Sequence, residues 1–177
     1  HVTLMFTDLR GSTALYSRIG DARAYRLVRE HFAFLAQAVR DHDGGIVKTI
    51  GDAVMAAFSN PADAVRAALA VQRNVATFNR EHGQDEGIVI KLGLHGGPSI
   101  AVTLNDRLDY FGSTVNLAAR LQSQSRGGDI IISQALAADP AVEILLTPLT
   151  AIGEKAAIKG FDAPVAFLRV MPGSTGG

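Results

Sequence analysis

The chain has 177 residues, and its 17 basic and 17 acidic side chains leave it without net charge. Hydrophobic residues make up 47% and charged residues 19% of the chain, which is close to globular averages and excludes extensive disorder. The charge balance also argues against a nucleic-acid partner, because proteins that neutralise phosphates usually carry a basic excess.

The first part of the chain predicts one strand and one long helix. Val2–Thr7 is an apolar run of strand length that ends at Asp8. From Asp21 onward apolar residues recur three and four positions apart, as on one face of a helix. The expected apolar face consists of Tyr25, Val28, Phe32, Leu35 and Val39. Gly44-Gly45 ends this helix.

A hairpin and a second helix follow. The apolar runs 46–50 and 53–58 are separated by Gly51-Asp52, a dipeptide typical of two-residue hairpin turns. Asn60-Pro61 supplies the N-cap and the first residue of a helix. The apolar stripe of this helix is expected at Val65, Ala68, Leu69, Gln72, Val75 and Phe78.

The second half of the chain alternates between strands and helices. Its first predicted elements are a polar loop at Glu81–Glu86, a strand at Ile88–His95, an extended stretch at Ile100–Leu104, a turn at Asn105-Asp106 and a helix at Ser113–Ser123. The last ones are a strand at Asp129–Ile132, a short helix capped by Ser133, and strands around Ile144 and Val165–Val170.

The order β-α-β-β-α-β, with further strands and helices after it, predicts an α+β fold with a ferredoxin-like core. We expect one sheet with helices on one face. A doubly wound parallel fold does not suit this order, because the turn at Gly51-Asp52 requires an antiparallel pair. We expect a single domain over residues 1–177, with a core of about 2–170 and a flexible tail at 171–177.

Cysteine is absent, which excludes disulfides and thiolate metal sites and suits the reducing cytoplasm, where we expect this domain to work. No apolar run approaches the roughly 18–20 residues that cross a bilayer. The chain begins directly on a strand-like run without a methionine, so we expect it to be part of a longer protein.

Two aspartates occupy positions where a carboxylate could meet a ligand. Asp8 ends an apolar strand, and Asp52 lies at the tip of the hairpin. Either alone is more often a turn or cap residue, but two acids at one edge of a sheet could hold Mg²⁺ together with substrate phosphates. The turn after Asp8, with Gly11, Ser12 and Thr13, would expose amides that can bind phosphate, although such turns are common.

Five further polar residues have an ordinary explanation beside a functional one. Lys48 lies in an apolar run and could be an edge-strand lysine that extends to water. Asn116 and Arg120 share one face of the third helix, where a surface pair is the simpler explanation. Asp109 and Lys159 could belong to a loop and a turn. None of these residues identifies a function alone.

Four segments occur together in one order: FTDLRGST (6–13), VKTIGDAVMAAF (47–58), LDYFGSTVNLAARL (108–121) and IKGFDAPV (158–165). Their combination resembles the catalytic domain of the class III nucleotidyl cyclases, the adenylate and guanylate cyclase family, from Val2 to about Val170. One segment alone would be unspecific, whereas four segments in this order are specific to that family.

The resemblance implies roles for the polar residues. Asp8 and Asp52 match the two metal-binding aspartates of the family, and the Leu9 carbonyl would be a further ligand of two Mg²⁺ or Mn²⁺ ions. Lys48 and Asp109 match the pair that binds the purine, and this combination resembles the adenylate version rather than the guanylate one.

The remaining matched residues would bind the ribose and the phosphates. Asn116 matches the asparagine that orients the ribose, Arg120 the arginine that stabilises the transition state, and Lys159 the lysine that binds the terminal phosphates. All seven side chains are present, so an inactive relative is not expected. The implied reaction is attack of the ATP 3′-hydroxyl on the α-phosphorus, which gives cyclic AMP and pyrophosphate.

The resemblance also implies a head-to-tail homodimer, because in this family one subunit supplies the metal aspartates and the other supplies the remaining groups. The extended segment Gly96–Leu108 resembles the family's dimerisation arm, although Gly96–Ser99 departs from the Gly-x-Val or Gly-x-Ala sequence expected there. Such domains are commonly fused to sensory or membrane modules, so we expect a regulatory domain in the full-length protein.

Three alternatives stay open from the sequence. A guanylate cyclase or a relaxed purine cyclase would differ in the purine that it accepts. A non-catalytic nucleotide-binding regulatory module would dimerise without turnover. A palm of the diguanylate-cyclase or polymerase type shares the core, but its Gly-Gly-Asp/Glu-Glu-Phe hairpin is absent, since the hairpin here is Ile50–Ala53.

Overall fold

The computed structural model describes residues 1–83 and 87–173, and within these ranges it contains nine strands and six helices. In chain order they are β1 (Val2–Leu9), α1 (Ser12–Ile19), α2 (Asp21–Asp41), β2 (Gly45–Ile50), β3 (Ala53–Phe58), α3 (Pro61–Glu81), β4 (Ile90–Gly97), β5 (Ile100–Leu104), β6 (Arg107–Phe111), α4 (Ser113–Ser123), β7 (Ile130–Ser133), α5 (Gln134–Ala137), α6 (Pro140–Leu146), β8 (Thr150–Ala156) and β9 (Val165–Met171).

Seven of the strands form one mixed sheet in the order β2-β3-β1-β4-β7-β9-β8, and β5 and β6 form a separate hairpin. β1 lies between β3 and β4 and pairs antiparallel with both, whereas β4 and β7 are parallel. The order β2-β3-β1-β4, with α2 and α3 between its strands in the chain, is the predicted ferredoxin-like core. The α+β fold class is therefore confirmed.

Helices cover both faces of this sheet. Successive side chains of a strand point to opposite faces, and along β1 Met5 and Leu9 belong to the main core, which α1, α2, α3 and α6 complete. Leu4 and Phe6 point the other way and cluster with Ala118 of α4. Our expectation of helices on one face is therefore wrong. The unbroken apolar run of β1 is the sequence signal for two covered faces.

Glycines in β4 allow α4 to lie close to the sheet. A Cβ added at Gly93 would lie 2.4 Å from the backbone nitrogen of Gln122, and one at Gly97 would lie 2.7 Å from Thr114 Oγ1. Thr114 also donates a hydrogen bond of 2.6 Å to the Pro98 carbonyl. Gly93 thus meets the last turn of α4, and Gly97 and Pro98, which lie in the segment that departs from the expected family sequence, meet its first turn.

The buried face of α2 is rotated slightly from the predicted stripe. Tyr25 is 66% exposed, and Val28 and Phe32 are only partly buried. The residues that α2 buries are Ala24, Leu27, His31, Leu35 and Val39. Both sets have helical spacing, so periodicity alone does not choose between them.

Two predicted boundaries and one predicted strand are wrong. β1 continues past Asp8, and α1 begins at Ser12, where the sequence indicated only a turn. Ile144 lies in α6 and not in a strand, because Asp139 caps that helix by accepting a hydrogen bond of 2.9 Å from the Ala141 amide.

Turn and cap residues confirm most of the other elements. Ile50 pairs with Ala53 across the predicted hairpin turn. Asn60 accepts a hydrogen bond of 2.9 Å from the Ala62 amide at the start of α3. Ser133 caps α5, as predicted, by accepting a hydrogen bond from the Leu136 amide.

Two predicted segments fall partly outside the described residues. Of the loop predicted at Glu81–Glu86, Glu81 ends α3, and residues 84–86 are not among those described. Of the predicted tail, Met171 ends β9, and residues 174–177 are not among those described. Within residues 1–83 and 87–173, none of the helices combines the length and the hydropathy that a membrane span requires.

Replacing Gly93 by alanine tests the close approach of α4 to β4. The new methyl group would meet the Gln122 backbone at 2.4 Å, so we expect the free energy of unfolding to fall by about 1–3 kcal/mol. Gly45→Ala is the matched control, because a Cβ at this strand glycine meets nothing within 4 Å and should change stability by less than about 0.5 kcal/mol. Urea denaturation measures both, and equal stabilities would contradict this packing.

Candidate functional site

The pairing of β1 with β3 brings two carboxylates together. Thr7 pairs with Val54, so Asp8, the next residue of β1, lies beside Asp52 in the turn that precedes β3. Burial and the hydrogen bond with Asp52 raise the pKa of Asp8 to about 6, although the Leu9 amide, which donates to Asp8 Oδ1 at 2.9 Å, lowers it. Below about pH 6, the two acids would therefore share a proton in the free chain.

Tyr16 of α1 holds the second carboxylate in place. Its hydroxyl donates a hydrogen bond of 2.8 Å to Asp52 Oδ2, and burial and this contact raise the pKa of Tyr16. Burial alone would raise the pKa of Asp52, but hydrogen bonds with Asp8, Tyr16 and Ser12 hold it below its ordinary value. Tyr16 is not among the site residues predicted from the sequence. Its signal is the spacing of four from Ser12, which places both side chains on one face of α1.

The donor set around these acids fits a hard divalent cation. Asp8, Asp52 and the Leu9 carbonyl offer oxygen ligands, and the close contact of the two acids, which raises the pKa of Asp8, is a contact that a cation would relieve. Among the described residues, no group of three or more His, Cys, Asp or Glu side chains could hold a metal. A cation would therefore take its remaining ligands from water or substrate phosphates, as Mg²⁺ commonly does.

The predicted phosphate turn leads from β1 into α1. Gly11 has a φ of 64° and is the N-cap residue of α1, and Ser12 and Thr13 form the first turn of the helix. Because Gly11 has no side chain, it makes no side-chain hydrogen bond to the first amides of α1. The first amides of a helix lack intrahelical partners and carry the positive end of its dipole, so this turn suits an anion next to the carboxylates.

Lys48 and Asp109 form an ion pair across two strands. The Lys48 Nζ of edge strand β2 lies 2.8 Å from Asp109 Oδ2 of β6, and the side chains are 41% and 16% exposed. The hydrogen bond from Lys48 holds the pKa of Asp109 below its ordinary value. The Tyr110 amide donates to the other oxygen at 2.8 Å, so the carboxylate has a fixed orientation. The structure thus brings together two residues that lie far apart in the sequence.

The other three predicted residues lie apart from these pairs. Asn116 and Arg120 are exposed on α4, and Lys159 is exposed in the segment between β8 and β9. Within the described parts of the chain, no hydrogen bond or ion pair connects these side chains with the carboxylate pair or with Lys48 and Asp109. In the described part of one copy of the chain, these three side chains are therefore not bonded to either pair.

Comparison with known proteins identifies the family. The sequence profile described as "Adenylate and Guanylate cyclase catalytic domain" matches residues 1–142. The chain belongs to this cyclase family.

Relatives of this cyclase domain include enzymes named for either purine. Adenylate cyclase from Anabaena cylindrica is 28% identical over 96% of the chain and 36% of its own length. Guanylate cyclase 2G from Mus musculus is 32% identical over 77% of the chain and 13% of its own length. The catalytic core of a rhodopsin-guanylyl cyclase with converted specificity, in complex with ATPαS, is 26% identical, with a TM-score of 0.83 and coverage of 96% of this chain and 94% of that one. The chain thus spans about a third or less of these two curated relatives.

The carboxylate pair predicts a pH dependence in the absence of divalent cations. The pKa of Asp8 is about 6 in the folded chain against an ordinary 3.8, so its contribution to stability is full below about pH 4 and is lost as the pH rises through about 6. The lowered pKa of Asp52 acts in the opposite direction and only below 3.8, outside this window.

Carbon-13 NMR of the aspartate carboxyls in a chelating buffer measures this titration. One carboxyl should titrate near 6, and in Asp52→Asn its pKa should fall, because the neighbouring negative charge is gone. An Asp8 carboxyl that titrates near 3.8 in the wild-type chain would contradict the arrangement.

Proposed function

We propose that this cyclase domain is an adenylate cyclase, which converts ATP into 3′,5′-cyclic AMP and pyrophosphate with two Mg²⁺ or Mn²⁺ ions. Its sites would be shared between two copies of the chain in a head-to-tail homodimer. The ion pair between Lys48 and Asp109 is the observation that carries the choice of adenine.

The two side chains of this pair complement the edge of adenine. A lysine ammonium only donates hydrogen bonds, and an ionised aspartate only accepts them. Adenine presents an acceptor at N1 and a donor at its 6-amino group, which Lys48 and Asp109 can satisfy together. Guanine exchanges the two functions between positions 1 and 6, so the same pose would set donor against donor and acceptor against acceptor. Adenine therefore suits the pair and guanine does not.

The carboxylate pair would bind the cations. Asp8, Asp52 and the Leu9 carbonyl supply oxygen ligands, and the turn at Gly11–Thr13 supplies amides for the phosphates. Cations bound there would activate the ribose 3′-hydroxyl and neutralise charge on the triphosphate. Tyr16 would keep Asp52 aimed at this place through its hydrogen bond of 2.8 Å.

Three exposed residues would complete the reaction from the second copy. Arg120 would stabilise charge on the α-phosphoryl oxygens while the 3′ O–P bond forms and the bond to the departing pyrophosphate breaks. Asn116, one helical turn earlier on α4, would orient the ribose, and Lys159 would bind the terminal phosphates. Within the described parts of one chain no hydrogen bond or ion pair joins them to the carboxylate pair, which agrees with a site that needs two copies.

Exposed apolar side chains support the dimer. On the β5–β6 hairpin, which covers most of the predicted dimerisation arm, Ile100, Leu104, Leu108 and Phe111 are each more than half exposed. Ile46 and Ile50 of the edge strand β2 are exposed as well. Large apolar side chains that a strand hairpin leaves exposed often mark an interface, so a second copy is the partner that we propose.

The alternative is a guanylate or relaxed purine cyclase. The similarity to guanylate cyclase 2G supports this alternative. A non-catalytic binding module is the other alternative. Because the curated relatives are much longer than this chain, we propose that further domains of the full-length protein regulate the activity, in the cytoplasm.

Asp109→Asn tests the choice of purine. An amide can donate as well as accept, so the variant loses its preference for an amino group at position 6. We expect kcat/KM for ATP to fall about 10- to 100-fold, with a smaller change for GTP. Asp106→Asn is the control, because this exposed residue lies in the turn of the same hairpin, with a φ of 60° that asparagine tolerates.

Cyclic nucleotide production from ATP and from GTP, with Mg²⁺ or Mn²⁺, gives both ratios. An ATP-to-GTP ratio that is the same in Asp109→Asn and in wild type would contradict purine selection by this pair. A wild-type chain that is folded and dimeric but makes no product from either nucleotide would favour the binding module.

Complementation tests the shared site. Asp52→Ala and Arg120→Ala should each be inactive alone. Mixed under conditions of chain exchange, they should recover about a quarter of wild-type activity, because half of the dimers are mixed and each has one intact site. Asp8→Ala with Asp52→Ala is the matched control, since both changes fall in the same half and every site stays damaged. A first mixture as inactive as this control would rule out sharing.

A further inference from the structure

Arg10 lies between the Leu9 carbonyl and Gly11, in the turn that leads from β1 into α1. Its backbone amide donates a hydrogen bond of 2.9 Å to the Val89 carbonyl. Its guanidinium Nη1 donates another of 2.9 Å to the Arg126 carbonyl. Backbone and side chain of Arg10 are therefore both bound to segments far along the chain.

The opposite segment is shaped to receive this side chain. A Cβ added at Gly127 would lie 3.4 Å from Arg10 Nη1 and 2.4 Å from Val89 Cγ1. Gly127 also has a φ of 102°, which other residues rarely adopt. Glycine at this position avoids a clash with Val89, and the Arg10 guanidinium passes beside it at close contact distance.

The acceptor of Arg10 belongs to a loop, Gln124–Asp129, which we call the 124–129 loop. Asp129 is 2% exposed and accepts a hydrogen bond of 2.5 Å from Ser125 Oγ. It also accepts from the amides of Arg126 (3.2 Å) and Gly127 (3.3 Å). Burial would raise the pKa of Asp129, but these contacts and Arg169 hold it below its ordinary value. An ionised, buried carboxylate thus organises the loop.

Arg169 of β9 completes the anchor. Its Nη1 lies 2.5 Å from Asp129 Oδ2 and donates to the Gln124 carbonyl at 3.1 Å. Its Nε donates to Glu154 of β8 at 2.6 Å. A buried ion pair adds little net stability, because desolvation offsets much of the attraction. Its effect is geometric, because the directed hydrogen bonds of Asp129 and Arg169 hold the 124–129 loop in one conformation.

We propose that Arg10 is a positioning residue that ties the turn Leu9–Thr13 to the 124–129 loop, which Asp129 and Arg169 hold. This inference rests on the proposed function, because that turn is where the cations and the phosphates would bind. Ligand groups must stay within about 0.5 Å of productive geometry, and a turn beside two acids and a triphosphate experiences strong forces. The tie to the loop keeps the Leu9 carbonyl and the first amides of α1 in place.

Arg10→Met tests the proposal, because methionine keeps an unbranched apolar stem and removes the donors. We expect the amides of Arg10 and Gly11 to exchange hydrogen at least about tenfold faster in the chain without metal. The concentration of Mn²⁺ alone that gives half of its effect on Tm should rise at least about tenfold. Arg126→Ala is the matched control, because that side chain is 74% exposed and its backbone carbonyl, the acceptor, remains.

Ser125→Ala perturbs the loop without touching the turn, since it removes the hydroxyl that donates to Asp129. If Arg10 acts through the loop, the double variant Arg10→Met/Ser125→Ala should need no more Mn²⁺ than Arg10→Met alone. Its KM for ATP should likewise be no higher. Multiplying effects would instead indicate that Arg10 binds phosphate directly and would overturn the proposal.

Two further outcomes are decisive. The inference would be overturned if the Arg10→Met variant had the same amide hydrogen exchange and the same Mn²⁺ response as Arg126→Ala. It would also be overturned if Arg10→Met exchanged its amide hydrogens faster but kept the Mn²⁺ response of the wild-type chain. A wild-type chain without cyclase activity would contradict the proposed function only. Hydrogen exchange and the Mn²⁺ response need no turnover, so they would still decide the role of Arg10.

Discussion

The meeting of two carboxylates at one end of the central strand is the constraint on which the site depends. Strand pairing forces Asp8 and Asp52 together, and the raised pKa of Asp8 reflects the cost of burial and, after it, of this contact. Tyr16 offsets part of it with a directed hydrogen bond. A shared proton relieves the remainder in the free chain, and a divalent cation would do so more fully. The fold thus accepts a local instability that binding can remove.

Different elements of the chain carry the two groups of polar residues. α1 and the hairpin turn hold the carboxylates, while α4, which packs on the face of β1 that Leu4 and Phe6 form, exposes Asn116 and Arg120. The tight contact at Gly93 fixes α4 there. The 124–129 loop directly follows α4 and reaches Arg10 beside the carboxylates, so the two groups are mechanically connected within one chain. In the proposed dimer this connection would run from one shared site to the other.

Local patterns predicted most of the fold but not its layers. Caps and turns such as Asn60 and the Gly51-Asp52 hairpin were readable because their bonds join neighbours in the sequence. The buried face of α2 could not be read from the sequence, because a stripe through Tyr25 and a stripe through Ala24 have the same helical period. Only tertiary packing decides which of the two is buried. For the site, the family resemblance supplied the residues. It could not supply the contact of Arg10 with the Arg126 carbonyl, because backbone acceptors have no sequence signature and the partners are 116 positions apart.

Purine preference is a separate question from the fold. The rhodopsin-guanylyl cyclase core with converted specificity has a fold similar to that of this chain, with a TM-score of 0.83, so the fold alone does not identify the base. In the free chain Lys48 and Asp109 satisfy each other at 2.8 Å. Half-exposed ion pairs contribute little, so an entering adenine that replaces this one bond with two loses almost nothing. Guanine in the same pose breaks the pair and leaves both charged groups facing like partners. In the proposed adenylate cyclase, selectivity would then come mainly from the penalty against guanine and only secondarily from affinity for adenine.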